Sequence, residues 1–186
     1  MNGAASEQRG HGTQVKYVAA GGDASFALEA ARHLAEYGVP LFIADPVLGP
    51  GGEWDPDAGA GGYKLPSDWQ HTAPDSSVVD RWRPGQALCA VTGHAVDAVD
   101  VDPRNGGAES YARMERDGLI PRAYGRADTP SGGFHLLVAP LGVSSRNNAE
   151  DGVDVKAGNA DGSGRGFVFL APTVKRVKGT DWTAAY

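Results

Sequence analysis

Val99-Asp100-Val101-Asp102-Pro103-Arg104-Asn105-Gly106-Gly107 is the stretch of this 186-residue chain that decides its fold and its chemistry. Alternate residues of a strand point to one side, so Val99 and Val101 take one face and Asp100 and Asp102 share the other. Two strand-borne carboxylates about 7 Å apart along the backbone can converge on one cation. The same string also reads as an edge strand that ends in solvated acids and a turn, and spacing alone leaves the two readings level. Asp97 has the opposite parity and is expected to be solvated.

Outward from this stretch, the run 134–139 sends Phe134, Leu136 and Val138 to a core face and His135 to the opposite one. Ser131 and Gly133 join His135 if the strand starts that early. In Gly152-Val153-Asp154-Val155-Lys156 the valines face inward and leave Asp154 and Lys156 on the other side. Three neighbouring strands would then present Asp100, Asp102, His135, Asp154 and Lys156 to one cleft. Singly each residue says little: a lone strand histidine is more often hydrogen-bonded structure than catalyst, and an Asp–Lys pair two apart is usually a surface feature.

The rest of the chain reads as α+β. Residues 1–23 are polar, Gly-rich and aperiodic, a mobile arm with a short ordered piece expected at 15–19. Ala24, Ala27, Leu28, Ala31, Leu34 and Ala35 recur at helical spacing, with Gly38 after the last of them, so a helix should stop near Tyr37. Residues 39–44 follow as a buried strand. Residues 45–74 hold five Pro and six Gly, a connection long enough to be functional or mobile, and a short helix is expected near 76–82. Strands at 88–92 and 95–101, separated by Gly93-His94, read as a hairpin or a longer turn. A helix at 108–116 and strands at 123–128, 134–139, 153–156 and 167–171 complete the pattern. Residues 159–166, Asn-Ala-Asp-Gly-Ser-Gly-Arg-Gly, are expected to form a hairpin loop.

Composition narrows the function classes. Charged residues are 22% and hydrophobic residues 41%, ordinary globular values despite 27 Gly and 12 Pro. No apolar run approaches the roughly 18 residues of a membrane span, and no secretory signal is present, so a cytoplasmic location without membrane contact is expected. A single cysteine, Cys89, and five scattered histidines exclude a disulfide framework and a zinc finger, leaving oxygen ligands for any metal. A net charge of −6 argues against a surface that grips nucleic acid throughout, though a local groove remains open.

The strings 99–107, Thr129-Pro130-Ser131-Gly132-Gly133-Phe134-His135 and 152–156, in that order, resemble the motif set of the bifunctional primase–polymerase domains of the archaeo-eukaryotic primase superfamily. The likeness extends upstream to Gly38-Val39-Pro40 and to Lys64-Leu65-Pro66 with Trp69, and downstream to 167–172 and Gly179-Thr180-Asp181-Trp182, so it covers residues 24–186. DxD alone is nearly worthless; DxDPRxGG, SGGxH and GVDxK in order are specific. Two departures stand out: the polar loop 159–166 is longer than the short hairpin many relatives have, and the single cysteine excludes the zinc-binding insertion of others.

The resemblance implies a catalytic domain with an RRM-like, strand-rich half and an active site in the cleft between two halves. It implies template-directed nucleotidyl transfer, as DNA primase or polymerase, with Mg²⁺ or Mn²⁺ held by Asp100, Asp102 and Asp154 in a two-metal mechanism. Ser131, Gly132 and His135 would bind the incoming dNTP or rNTP, with Arg104, Lys156 and Lys64 as weaker candidates. The partners implied are a single-stranded DNA template and a fused or separate helicase, in a phage, plasmid or mobile-element replication protein. Two rivals stand beside this: a non-catalytic single-stranded nucleic-acid binder using Phe134 or Trp69 as a stacking platform, and a metal-dependent phosphoesterase.

Overall fold

The computed structural model describes residues 24–177, 179–181 and 183–186. In chain order they form α1 (Ala24–Glu36), β1 (Leu41–Pro46), β2 (Tyr63–Lys64), a 3-10 turn (Trp69–His71), α2 (Val78–Arg81), β3 (Ala87–Thr92) and β4 (Asp97–Val101). A second 3-10 turn (Pro103–Asn105) and α3 (Gly107–Arg116) follow, then β5 (Ala123–Asp128), β6 (Phe134–Val138), β7 (Arg146–Glu150) and β8 (Val153–Lys156). The chain closes with β9 (Gly166–Leu170), β10 (Val174–Arg176) and β11 (Thr183–Ala185). The fold is α+β. No helix among the described residues is long and apolar enough to cross a membrane.

The strands make an antiparallel sheet ordered β2-β1-β3-β9, a five-stranded antiparallel sheet ordered β5-β6-β4-β8-β7, and a ribbon of β10 and β11. Period-two alternation decides which side chains go where. Val99, Val101, Phe134, Leu136, Val138 and Val153 are buried with Tyr111 and Met114 of α3 against them. The opposite face of the same strands is covered too: Ala98 and Leu137 join one core with Ala31 and Ala35 of α1 and Leu41, Leu88 and Leu170 of the first sheet. A third cluster of Phe42, Ala44, Tyr63 and Cys89 packs with Trp54, Trp69, Phe167 and Phe169.

Three expectations are corrected here. β3 and β4 form no hairpin, because β3 pairs with β1 and β9 while β4 pairs with β6 and β8. Each is a central strand with both edges taken, and the turn at Gly93, closed by its N–H to the Val96 carbonyl, carries the chain from one sheet to the other. Residues 159–166 are likewise no hairpin loop, since β8 and β9 lie in different sheets; a local turn is closed by the Asn159 N–H on the Ser163 carbonyl. Asp97 is not solvated but 2% exposed, where its carboxylate accepts the N–H groups of Gly93 (2.9 Å) and Leu141 (2.7 Å). A buried carboxylate needs such donors, and these two are main-chain groups of the turn and loop flanking β4. β2, β7, β10 and β11, short or polar, carry no apolar alternation that the sequence reading could use. The expected arm 1–23, with its ordered piece at 15–19, and Trp182 lie outside the described residues.

Candidate active site

Antiparallel pairing aligns three functional residues in one row. Asp100 on the central strand β4 lies opposite His135 of β6 on one side and Asp154 of β8 on the other. All three share the face opposite the valines. His135 Nε2 stands 3.4 Å from the Asp100 carboxylate. The histidine is 6% exposed, and its Nδ1 is buried without a hydrogen-bond partner among the described residues. Asp154 accepts the Lys156 ammonium at 2.7 Å and the Asn148 N–H at 2.8 Å. Burial works against its ionisation, but these two hydrogen bonds outweigh it and hold the carboxyl below the usual carboxylate range.

Asp102 sits one residue past the end of β4, where it caps the 3-10 turn whose first residue is Pro103. Its carboxylate accepts the Arg104 N–H, the Arg104 guanidinium through Nε (3.0 Å) and Nη2 (2.9 Å), and Asn105 Nδ2 (2.9 Å). Those bonds raise the Arg104 pKa further above its ordinary value. The Ser131 loop is pressed against this corner by Gly133: a Cβ there would lie 2.2 Å from the Val101 carbonyl oxygen, so no side chain fits. Thr129 closes the loop, accepting the Gly133 N–H at its Oγ1 (3.1 Å).

These pieces line one pocket of about 260 Å³, formed by Asp100, Asp102, Arg104, Ser131, His135 and Asp154 together with Lys175, Arg176 and Tyr186. The last three were missed in the sequence, where the only signal was a Lys-Arg pair in a chain with five lysines. The Tyr186 ring packs 5.5 Å from that of His135 and 6.0 Å from Phe169, and burial raises its phenol pKa. Lys175 places its ammonium 4.2 Å from the centre of the Phe169 ring. Lys156 reaches the site through its pair with Asp154. Gly132 makes the turn behind Ser131, donating its N–H to the Thr129 carbonyl. Lys64 is exposed on β2, paired in register with Asp45, and does not line the pocket.

The two stacking candidates of the binding-module rival sit differently. Phe134 is buried under α3 with the Tyr111 ring edge-on at 5.1 Å. Trp69 packs against Phe42 (5.6 Å) and Phe167 (5.2 Å). Phe134 offers no free face to a base, and Trp69 is half-buried.

None of the curated proteins matches the chain. A family profile, that of the bifunctional DNA primase/polymerase N-terminal domain, matches residues 30–185. That span takes in the three acids, the Ser131 loop, His135 and the Lys175 wall, so the chain belongs to the bifunctional DNA primase/polymerase family.

Proposed function

We propose that this chain is a template-directed nucleotidyl transferase that joins nucleoside triphosphates on single-stranded DNA, as primase, polymerase or both. The observation that carries the reading is the row of His135, Asp100 and Asp154 with Asp102 at its end, in one pocket of a chain whose family is named for this activity. The pocket is proposed as the active-site cleft between an RRM-like half, the five-stranded sheet with α3, and the rest of the domain.

Enzymes of this family are in general dependent on a divalent metal. The donor chemistry fits: Asp100, Asp102 and Asp154 are hard oxygen ligands of the kind Mg²⁺ and Mn²⁺ take together with water and substrate phosphates. Among the described residues no three acid or imidazole side chains already converge at ligating distance, because Arg104 and Lys156 hold two of the carboxylates. When bound, a pair of such ions favours ionisation of the attacking 3′-hydroxyl and neutralises the departing pyrophosphate. Arg104 and Lys156, beside Asp102 and Asp154, would serve as donors to the phosphates, Arg104 with a bidentate fork. Ser131 and His135 contact the triphosphate, His135 from the base of the pocket, and no covalent enzyme intermediate forms.

The natural setting proposed is a phage, plasmid or mobile-element replication protein in which a helicase supplies single strands. The test is incubation of the protein with template, Mg²⁺ or Mn²⁺ and labelled nucleotides, with and without primer, followed by sizing of the products. Template-dependent extension that vanishes in Asp102→Ala is expected. Near-wild-type incorporation by that variant would overturn the assignment, and release of phosphate or nucleotide without chain growth would favour the phosphoesterase reading.

A further inference from the structure

His135 stands in the row with Asp100 and Asp154, yet its hydrogen bonds do little to hold its ring. Nε2 is 3.4 Å from the Asp100 carboxylate, longer than a well-formed N–H···O bond, and Nδ1 is buried without a hydrogen-bond partner among the described residues. The torsion that turns an imidazole about its Cβ–Cγ bond is broad and roughly two-fold, so the side chain's own preference does not choose between the two ring orientations. Its cross-strand neighbour on β5 is Ala127, which brings a single methyl group. A nitrogen that is to meet a substrate has to be aimed, and here the aim must come from packing.

One side chain supplies that packing. The Tyr186 ring lies 5.5 Å from the His135 ring, centre to centre, and 6.0 Å from the Phe169 ring, tilted by 40° and 38°. His135 belongs to the five-stranded sheet and Phe169 to the first sheet, so Tyr186 is wedged between the two where they border the acid pocket. The wedge is anchored from behind. Tyr186 donates its N–H to the Thr173 carbonyl (2.9 Å), which carries the β10–β11 ladder one residue further. Thr173 is buried, and its hydroxyl donates to the Leu88 carbonyl (3.1 Å) while accepting the Leu88 N–H (2.8 Å). Leu88 lies in β3, a strand paired on both edges. A central strand of the first sheet thus reaches a histidine of the second through Thr173 and Tyr186.

We propose that Tyr186 is a positioning residue for His135: its ring holds the imidazole in one orientation and so presents the same nitrogen to the substrate at every encounter. Among the described residues no other aromatic ring packs on His135. The contact is made by the ring of Tyr186, so the hydroxyl is dispensable to it. With Nε2 facing a carboxylate, a held neutral imidazole keeps its proton on that nitrogen, whereas a ring free to turn shares it between the two. The effect on nucleotide rests on the nucleotidyl-transfer reading; the holding of the ring rests on the packing alone.

Tyr186→Leu and Tyr186→Met remove the ring, Tyr186→Phe keeps it, and His135→Ala identifies the His135 signals among the five histidines. Imidazole nitrogen spectra are recorded on the ligand-free chains at about pH 8, where an ordinary histidine is neutral, and each chain is melted in parallel. The wild type and Tyr186→Phe should show a protonated and an unprotonated His135 nitrogen at well-separated shifts. In whichever of the Leu and Met variants melts as a folded protein, the two shifts should draw together as the ring turns. In steady-state incorporation of a labelled deoxynucleoside triphosphate, loss of the ring should raise KM roughly tenfold with a smaller change in kcat, and Tyr186→Phe should restore it. The same loss should add nothing once His135 is replaced by alanine, because Tyr186 acts through that ring. An unchanged His135 spectrum in a folded ringless variant would sink the proposal. So would a KM effect that persists in the His135→Ala background, which would put Tyr186 on the nucleotide itself, or a Tyr186→Phe chain as impaired as Tyr186→Leu, which would assign the role to the hydroxyl. If the ringless variants free His135 but the wild-type chain incorporates no nucleotide, the positioning stands and the polymerase reading fails.

Discussion

Asp97, Asp100 and Asp102 lie within six residues of one another, and their surroundings give them different work. Asp97 is closed in and accepts two main-chain N–H groups, each bond to a charged acceptor contributing roughly 1.5–3 kcal/mol. Asp97→Ala leaves the Leu141 N–H without its acceptor, whereas the Gly93 N–H keeps the Val96 carbonyl, so urea unfolding should show a loss of about 1–3 kcal/mol, while the remaining folded protein incorporates nucleotide at the wild-type rate. Asp102 behaves oppositely. Repulsion among three bare acids would make its removal stabilising, but here its charge is already answered by Arg104 and it caps the turn that starts at Pro103. Asp102→Ala should therefore cost about 1 kcal/mol, the usual loss for a cap, and abolish incorporation. A rise in stability would show that the Arg104 pair contributes nothing.

At the level of elements, the site depends on how closely the corner after β4 is packed against the turn before β8. Gly152 has φ +65°, and a Cβ there would lie 2.4 Å from the Gly107 nitrogen and 2.7 Å from the carbonyl oxygens of Asn105 and Asp102. These are main-chain atoms that cannot rotate away. Gly152→Ala should lower stability by about 2 kcal/mol or more, from the left-handed conformation and the displaced corner together, and should reduce incorporation beyond the fraction unfolded because Asp102 moves with the corner. Retention of both the melting temperature and the activity would show that the corner is slack. This packing also marks how far the sequence could be read. Parity alone put Asp100, His135 and Asp154 on one face, because a two-residue period survives whatever the strands pair with. Choice of partner is a tertiary decision, so 88–92 and 95–101 could be read equally as a hairpin or as strands joined by a longer turn, and they belong to different sheets. β7, Arg-Asn-Asn-Ala-Glu, has no apolar alternation to mark it as a strand. Nor does any local pattern announce that Arg104, Lys156 and Lys175 differ in what neutralises them.

Across the whole molecule the charge is −6, and the pocket's own cations are mostly bound to acids of the same chain. Strand binding draws its strength from Lys and Arg that displace counterions from phosphates, with a salt slope near −0.7 per contact for single strands. Cations already paired must first be freed, which cancels much of that gain. Arg113, Arg116 and Arg126 outside the pocket are likewise paired, with Glu150, Asp117 and Asp128. A template held through about two or three phosphate contacts should lose only about tenfold in affinity between 50 and 200 mM salt. Fluorescence anisotropy with labelled single-stranded DNA at physiological salt should give a Kd no better than micromolar. On the proposed reading, incorporation should rise when a helicase or another strand-binding module is supplied, because a longer residence on the template favours each addition. Nanomolar template binding with efficient unprimed synthesis by this chain would require a strand-binding surface that the paired arginines do not provide, and would overturn the dependence on a partner.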